Sequence, residues 1–225
     1  MRLALFGGTF DPIHRAHLRV AQAAADAFAL DRVLFAPTGR QPLKSEAAQA
    51  SFEDRLAMLS LAIAEYSNEQ RTADNEQPDR FAVSALDAPR PSGAPNYTVD
   101  LLEDLARTMP HAELFAIAGA DSFLTLAQWR APERVLTLAE WIVVSRPGLD
   151  LTPAFLDRPE FAPLALSTEQ RARIRLLPGI HEDISATALR ERLHDAADNS
   201  NEDTALGQWL SPSVAAYIRD HHLYR

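Results

Sequence analysis

The chain of 225 residues contains no cysteine and only eight glycines. Without cysteine there is no disulfide, no thiolate nucleophile and no cysteine-ligated zinc site. No apolar run approaches the roughly 20 residues that a membrane-spanning helix needs. The apolar stretch near Met1 is also too short for a signal peptide. We therefore expect a cytoplasmic protein that does not act on membranes.

Two common nucleotide-binding motifs are missing as well. The absence of G-x-G-x-x-G argues against an ordinary NAD-dependent dehydrogenase, and the absence of G-x-x-x-x-G-K-[ST] argues against a P-loop ATPase. A formal net charge of −9 opposes non-specific binding to nucleic acid. A phosphate site in this chain must therefore gather its cations locally.

What is present is the composition of a globular α/β protein. The hydrophobic share is 47% and the charged share 24%, both ordinary for a globular domain. Strand and helix signals alternate along the chain, which predicts a Rossmann-like, doubly wound, mostly parallel sheet with helices on both faces. The length favours one domain over residues 1–225. The predicted strands are residues 3–6, 32–36, 81–83, 113–118 and 140–144, and the predicted helices are residues 18–25, 52–66, 99–108 and 212–221.

Three further segments have no regular pattern. Residues 67–79 and 194–204 are polar and are expected to be exposed loops. Residues 148–170 carry three prolines, with a fourth just before them, and are expected to form a mobile flap.

The most informative segment is GGTFDPIHRAH, residues 7–17. It lies between a predicted strand and a predicted helix, where Gly7 and Gly8 let the main chain approach a ligand closely. The start of the helix offers N–H groups and a partial positive charge to a phosphate. His14 and His17 bracket that start, so both imidazoles can face the same anion. Two histidines can also bind a metal, but the glutamate of H-E-x-x-H is absent. We therefore predict a nucleotide-phosphate site.

This motif resembles the signature of the nucleotidyltransferase superfamily of adenylyl- and cytidylyltransferases. Within it, the chain is similar to the bacterial nicotinate-nucleotide adenylyltransferases over nearly its whole length. Ala16, Leu101 and Ala186 differ from the family pattern. The other matching segments are NYTVD at 96–100, AGADS at 118–122, Trp129, SRPG at 145–148, ISATALR at 184–190 and the ending VAAYI at 214–218 with Leu223 and Tyr224.

The resemblance implies transfer of the adenylyl group of ATP to nicotinic acid mononucleotide, with Mg²⁺, in NAD biosynthesis. The products would be the deamido dinucleotide and pyrophosphate. A sister transferase acting on nicotinamide mononucleotide, pantetheine phosphate or a CTP-dependent alcohol phosphate stays open as an alternative. So does a nucleotide-binding sensor without catalysis. The sequence allows a homo-oligomer.

Residues 184–190 suggest a second phosphate contact in the C-terminal part, about residues 180–225. Ser185 is a plausible helix cap, and Thr187 adds a hydroxyl at the same helix start. Arg190 lies about one turn further along and could reach the same anion. By itself the segment is an ordinary capped helix, and only beside the histidine motif does it indicate a triphosphate site.

Four cations are candidates for the pocket: Arg40, Lys44, Arg146 and Arg190. Lys44 is the only lysine in the chain, and coding bias towards arginine is the plain explanation. A compact ammonium can nevertheless follow a moving phosphate better than a planar guanidinium. We predict catalytic roles for His14, His17 and Lys44.

The remaining candidates bind the two substrates. Asp121 follows a predicted strand, where it could accept ribose hydroxyls or cap the next helix. Trp129 lies in a polar setting and could stack on a ligand ring, which the resemblance supports. Tyr97 and Thr98 begin a helix whose positive end would favour a carboxylate. We expect ATP to be bound by Gly7, Gly8, Thr9, Phe10, His14, His17, Gly119, Asp121, Arg146, Ser185, Thr187 and Arg190, the mononucleotide by Tyr97, Thr98, Asp121, Trp129 and Lys44, and Mg²⁺ by the ATP phosphates, with no protein side chain as ligand.

Overall fold

The computed structural model describes residues 1–40, 43, 47–71, 79–145, 151–179, 185–196 and 206–225. Within these residues a six-stranded sheet has the order β3-β2-β1-β4-β5-β6, and every neighbouring pair is parallel. This confirms the predicted Rossmann-like sheet. The strands are β1 (Arg2–Gly8), β2 (Arg32–Pro37), β3 (Phe81–Val83), β4 (Glu113–Gly119), β5 (Glu140–Val144) and β6 (Ile174–Leu177).

The helices follow the strands in the order that the sequence predicts. Three 3₁₀ turns, at Leu126–Gln128, Pro153–Asp157 and Pro159–Leu164, interrupt the later connections. The described helices are α1 (Arg15–Ala27), α2 (Phe52–Gln70), α3 (Thr98–Thr108), α4 (Ala120–Phe123), α5 (Pro132–Leu138), α6 (Thr168–Ala172), α7 (Ala186–Ala196) and α8 (Pro212–Asp220). None of them is long and apolar enough to cross a membrane.

The sheet is buried on both faces, as a parallel sheet with crossover helices must be. Along β1, Ala4 and Phe6 belong to the cluster that also holds buried residues of α1, α2 and α8. Leu3 and Leu5 point the other way, into the cluster with α3 and α5. Side chains alternate between the faces of a strand, so this short apolar run contributes to both halves of the core.

Two helices begin where the sequence predicts, but only Ser51 forms the expected side-chain cap, because Ser211 makes no cap hydrogen bond. The Ser51 hydroxyl accepts the N–H of Asp54 at 3.0 Å and caps α2. Ser211 precedes Pro212, which takes the first position of α8, where proline lacks only an N–H that would have no partner in the helix. The first helix begins at Arg15, three residues before the predicted start, and His14 is its N-cap residue.

The expected flap is wrong from Leu151 onward. Prolines 153 and 159 begin 3₁₀ turns, and the side chains of Phe155 and Phe161 are 3% and 2% exposed. They pack against the core on the α3 side of the sheet, because the turns aim their aromatic residues inward. The prolines therefore shape a packed segment, while residues 146–150 lie outside the described residues.

Two of the expected loops are shorter than predicted. Helix α2 continues to Gln70, four residues into the segment 67–79. Helix α7 continues to Ala196, beyond the predicted loop start at His194. Residues 72–78 and 197–205 lie outside the described residues.

Candidate active site

The two histidines of the motif lie together at the start of α1. Their ring centroids are 3.8 Å apart and the ring planes are tilted by 33°. The Nδ1 atom of His17 accepts the main-chain N–H of His14 at 3.3 Å. A neutral imidazole that accepts at Nδ1 carries its proton on Nε2. The fold therefore fixes a tautomer of His17 in which Nε2 is a donor.

The glycine turn serves packing as well as access. A Cβ atom at Gly7 would meet nothing within 4 Å, which agrees with a main chain open to a ligand. A Cβ atom at Gly8 would lie 2.9 Å from the ring of Phe10, so this glycine makes room for the ring beneath the turn. Phe10 is 2% exposed and packs edge-on against His17, with ring centroids 5.0 Å apart. Because the ring of Phe10 is buried, only its main chain can contact ATP.

The carboxylate of Asp11 joins the motif to two distant parts of the chain. It accepts the N–H of Gln49 at 2.7 Å and of Ala50 at 3.1 Å, just before α2. It also accepts the hydroxyl of Tyr224 at 2.7 Å. Burial and this hydrogen bond raise the pKa of Tyr224, so the phenol stays protonated and donates. Asp11 is 2% exposed, and a buried carboxylate needs such donors.

The second predicted phosphate segment meets the first through Arg190. Its Nη1 donates to the main-chain oxygen of Asp11 at 2.7 Å, and its Nη2 donates to the Thr187 hydroxyl at 3.2 Å. Ser185 caps α7, because its hydroxyl accepts the N–H of Ala188 at 3.1 Å. The structure thus brings Arg190 and the start of α7 beside the loop that carries His14.

Arg55 supports the same loop from below. This side chain of α2 is 2% exposed, and its Nη1 donates to the main-chain oxygens of Thr9 at 2.8 Å and Thr38 at 2.9 Å. Its Nε donates to the oxygen of Ala50 at 3.3 Å. Burial lowers the pKa of Arg55, and the nearby carboxylates, first that of Asp11, oppose this effect. The guanidinium therefore ties the turns after β1 and β2 to α2.

Gly119 and Asp121 lie where β4 ends, next to the end of β1. Strands β1 and β4 are neighbours. The strands that follow them in the chain, β2 and β5, lie on opposite sides of this pair. This is the switch point at which open α/β sheets bind ligands. Asp121 is exposed in the first turn of α4, and Gly119 rather than Asp121 is the N-cap residue.

Two of the predicted mononucleotide residues, Tyr97 and Thr98, lie at the start of α3. Tyr97 is the N-cap residue and Thr98 the first helical residue. The guanidinium of Arg130 lies 4.7 Å from the centroid of the Tyr97 ring, so the segment after α4 borders this helix start. Trp129 is half-buried against Trp141, with ring centroids 5.4 Å apart. The Nε1 of Trp129 donates to the hydroxyl of Thr125 at 2.9 Å. Trp129 can therefore contact a ligand only through the face or edge of its ring.

Two predicted cations, Lys44 and Arg146, lie outside the described residues. Arg40 is exposed, and its Nη1 donates to the main-chain oxygen of Gly93 at 2.6 Å. Among the described residues no group of three His, Asp or Glu side chains could hold a metal ion. The Asp11 carboxylate, the nearest to the histidines in sequence, is already occupied by protein donors.

Two of the three positions that differ from the family pattern are ordinary packing positions. Ala16 is 5% exposed and lies in the core cluster below α1. Its methyl group therefore packs against protein. Leu101 is 8% exposed and points from α3 into the opposite cluster. Ala186 is the first residue of α7, directly after the Ser185 cap.

Sequence reasoning missed Asp11, Arg55 and Asp87, each less than a tenth exposed. Arg55 has a signal in the sequence, because it occupies the same helix face as Met58 and Leu59, which are buried. Asp11 lies inside the motif, yet nothing local indicates that its partners come from residues 49–50 and 224. Asp87 lies in a connecting loop rich in proline, where no periodic pattern marks burial.

Comparison with known proteins shows the family of this chain. The family model described as Cytidylyltransferase-like matches residues 5–192, so the chain belongs to that class of nucleotidyltransferases. A Herpetosiphon aurantiacus protein is 38% identical over 99% of this chain and 98% of its own length. A Thermus thermophilus protein is 37% identical over the whole of both chains. Both are named "Probable nicotinate-nucleotide adenylyltransferase", and the chain belongs to that adenylyltransferase family.

Solved structures confirm the fold. The nicotinic acid mononucleotide adenylyltransferase of Plasmodium falciparum, complexed with NaAD, superposes with a TM-score of 0.72 over 99% of this chain and 97% of its own. Its sequence identity is 17%. At this identity the likeness concerns the arrangement of strands and helices.

Proposed function

We propose that this chain transfers the adenylyl group of ATP to nicotinic acid mononucleotide. The 5′-phosphate of the mononucleotide attacks the α-phosphorus of ATP in line, and the bond from that phosphorus to the bridging oxygen breaks. The products are the deamido dinucleotide and pyrophosphate. The observation that carries the proposal is the pair His14 and His17 at the start of α1, beside Arg190.

No side chain acts as a nucleophile in this reaction. Catalysis comes from positioning the two substrates and from stabilising the charge on the departing pyrophosphate. His17 donates from Nε2 to the bridging oxygen as that oxygen gains charge, and His14 lies against the same phosphates. The tautomer fixed by the main chain of His14 supports this assignment.

The other ATP contacts follow from where the predicted residues lie. Gly7, Gly8, Thr9 and Phe10 offer main-chain groups to the phosphates. Ser185, Thr187 and Arg190 approach from the start of α7. For the ribose and the base we propose Gly119 and Asp121 at the end of β4. We include Lys44 and Arg146 in the proposed set because of their positions in the sequence.

Nicotinic acid mononucleotide binds at the start of α3 in this proposal. The main-chain N–H groups at Tyr97 and Thr98 meet the pyridine carboxylate, and the positive end of the helix dipole favours its charge. The ring of Trp129 stacks on the pyridine. Its N–H is occupied by Thr125, which supports a contact through the ring face.

Mg²⁺ fits this site as an ion carried by ATP. Magnesium keeps several waters and is commonly bound by substrate phosphates with few protein ligands, and the described residues offer no cluster of three ligands. When bound, the ion neutralises charge on the phosphate chain. Among the described residues, His14, His17 and Arg190 are the protein groups that stabilise the phosphate charge in this proposal.

A pyrophosphate assay tests the function. The protein is incubated with ATP, Mg²⁺ and one acceptor at a time: nicotinic acid mononucleotide, nicotinamide mononucleotide or pantetheine phosphate, with CTP and an alcohol phosphate as a further arm. We expect rapid release of pyrophosphate and a dinucleotide product with the first acceptor. ATP binding without pyrophosphate from any acceptor would instead identify a nucleotide-binding sensor.

A further inference from the structure

The phenol of Tyr224 reaches from the turn after α8 into the loop of the histidine motif. Its hydroxyl donates to Oδ1 of Asp11 at 2.7 Å, and Tyr224 is buried, with 8% of the residue exposed. Burial raises the pKa of Tyr224, so the phenol is an uncharged donor. The proposed reaction gives this contact no part.

The turn after α8 fixes where the phenol lies. The N–H of Leu223 donates to the main-chain oxygen of Ile218 at 3.0 Å, and His222 has a left-handed main chain with φ of 56°. This arrangement is a common way for a helix to end and for its chain to reverse direction. Tyr224 itself has φ of 62°. A residue other than glycine keeps such a conformation only where the surrounding structure holds it, so the position of the phenol is part of the fold.

The carboxylate of Asp11 is satisfied by uncharged donors. Besides the hydroxyl of Tyr224, Oδ1 accepts the N–H of Ala50 at 3.1 Å, and Oδ2 accepts the N–H of Gln49 at 2.7 Å. Within the described part of the chain, these are the hydrogen bonds that reach the carboxylate. Asp11 is 2% exposed, and a buried carboxylate that lacks a donor is costly. Loss of any of the three donors therefore leaves Asp11 in need of another.

Two arginines lie near this carboxylate without a hydrogen bond to it. Nη1 of Arg190 is 4.0 Å from Oδ2 of Asp11, and it donates instead to the main-chain oxygen of Asp11 at 2.7 Å. The guanidinium of Arg55 is engaged by main-chain oxygens, among them that of Thr9 at 2.8 Å. Arg190 is therefore the cation that a small rotation would bring onto the carboxylate.

The guanidinium of Arg190 is held by few contacts. Its Nε has no hydrogen-bond partner among the described residues, and its Nη2 donates to the hydroxyl of Thr187 at 3.2 Å. The bond to the main chain of Asp11 is the short one. The direction of the guanidinium therefore depends on whether the carboxylate of the same residue competes for it.

We propose that Tyr224 is a positioning residue for Arg190: its hydroxyl satisfies the carboxylate of Asp11 and so leaves the guanidinium directed at the phosphates of ATP. When the hydroxyl is absent, a charge-assisted hydrogen bond from Arg190 is the strongest replacement within reach of the carboxylate. The guanidinium then turns from the phosphates to Asp11. This inference rests on the proposed function, in which Arg190 binds the phosphates.

Tyr224→Phe removes the hydroxyl and keeps the buried ring, with Tyr217→Phe as the matched control. The hydroxyl of Tyr217 also donates to a carboxylate, that of Asp54 in α2 at 2.9 Å. We expect Tyr224→Phe to lower kcat/KM for ATP roughly tenfold, as for loss of a hydrogen bond to a charged group. The KM for the mononucleotide should change by less than about twofold, and Tyr217→Phe should match the wild type in every constant.

A double-mutant cycle with Arg190→Met separates positioning from a purely structural role. If Tyr224 acts through Arg190, Tyr224→Phe should change kcat/KM for ATP by less than about twofold in the Arg190→Met background. A structural role would give the same loss in both backgrounds. The folded fraction of each variant, measured by urea unfolding, corrects the rates. Equal losses in the two backgrounds, or wild-type kinetics in Tyr224→Phe, would overturn the proposal.

Calorimetric binding of an ATP analogue with a methylene group between the α- and β-phosphorus measures the effect without turnover. We expect Tyr224→Phe to bind it roughly tenfold less tightly than the wild type, and Tyr217→Phe to bind it equally. If the wild type makes the dinucleotide and Tyr224→Phe binds the analogue like the wild type, the role of Tyr224 is wrong and the proposed function stands. If the wild type binds the analogue but forms no product with any acceptor, and Tyr224→Phe binds it less tightly, adenylyl transfer is wrong and the role of Tyr224 stands.

Discussion

At the scale of single residues, His17 is a donor whose orientation the main chain sets. Its Nδ1 is held by the N–H of His14, and its ring packs against Phe10. Such a group needs no reorientation as charge develops on the bridging oxygen, which is where a preorganised donor is most effective.

Replacing this donor tests its role. We expect His17→Ala to lower kcat by roughly 10²-fold or more, as for loss of one preorganised donor. The fold should persist, because the side chain is half-buried beside the site. His111→Ala, an exposed histidine just before β4, is the control and should keep wild-type turnover. Near-normal kcat in His17→Ala would remove this residue from the mechanism.

The contribution of Arg55 to stability can be measured separately from activity. Its guanidinium satisfies main-chain oxygens of Thr9, Thr38 and Ala50, and buried acceptors without a donor are costly. We expect Arg55→Met to lower the free energy of unfolding by about 3 kcal/mol or more.

Urea unfolding measures that loss, with Arg71→Met as the control. Arg71 ends α2 and forms an exposed ion pair with Asp79 at 3.4 Å. Exposed pairs contribute little, so this variant should lie within about 0.5 kcal/mol of the wild type. Equal stabilities of the two variants would contradict the assigned role of Arg55.

At the scale of elements, α2 places Arg55 and depends on its cap. Ser51 accepts the N–H of Asp54 at 3.0 Å, and its hydroxyl donates to the Asp54 carboxylate at 2.6 Å. The hydrogen bond from Ser51 is the largest of the effects that lower the pKa of Asp54. Asp54 also accepts the hydroxyl of Tyr217 at 2.9 Å, so the start of α2 is joined to α8.

Removal of the cap should weaken the whole fold. We expect Ser51→Ala to lower the free energy of unfolding by about 1 kcal/mol, the usual cost of a lost N-cap. Ser60→Ala is the matched control, because Ser60 lies within the same helix and donates only to the oxygen of Leu56. Alanine is a good helix former there, so we expect no loss. Thermal or urea unfolding that shows the same loss in both would rule out a capping effect.

Periodic elements were predictable from the sequence, and contacts between distant segments were not. Strand β5 has the predicted bounds 140–144, and α3 begins one residue before the prediction, because apolar pattern alone determines them. Strand β6 and helices α5 and α6 are short and were not predicted, and α4 was expected only as a helix near Asp121, without bounds. The packed 3₁₀ segment was mistaken for a flap because proline marks both a turn and an irregular loop.

The candidate site shows the same division. The sequence indicated His14, His17 and Arg190 as site candidates because each belongs to a motif at the start of a helix. The bond of Asp11 to Tyr224, 213 residues away, has no local signal. The roles of the individual site residues and the single-domain organisation stay predictions.

At the scale of the whole molecule, the sheet brings the two halves of the site together. The order β3-β2-β1-β4-β5-β6 places the ends of β1 and β4 side by side, with the motif after one and Asp121 after the other. The loops after β2 and β3 close this edge through Gly39 and Asp87.

The stability of the wild type should depend on this acid. The pKa of Asp87 is raised from 3.8 to about 6 in the folded protein, so between these values the folded state binds more protons than the unfolded chain. Its stabilising contribution is complete below pH 3.8 and is lost as the pH rises through about 6. Each pKa unit corresponds to about 1.4 kcal/mol, which makes the loss up to about 3 kcal/mol.

Urea unfolding of the wild type and Asp87→Asn across this pH range measures the contribution. The stability of the wild type relative to Asp87→Asn should decline as the pH rises from about 4 to about 7.5. Asp104→Asn, at an exposed position of α3, is the matched control. A constant difference between wild type and Asp87→Asn would contradict the raised pKa.

The central claim is adenylyl transfer to the acid form of the mononucleotide, and kcat/KM for the two mononucleotides tests it most directly. The start of α3 favours a carboxylate over a neutral carboxamide. Stacking of the pyridine ring on Trp129 hardly distinguishes the acid from the amide. One charge-assisted hydrogen bond is worth about 1.5–3 kcal/mol, so we expect a preference for nicotinic acid mononucleotide of at least roughly tenfold. Equal use of the two, or a preference for nicotinamide mononucleotide, would contradict the account.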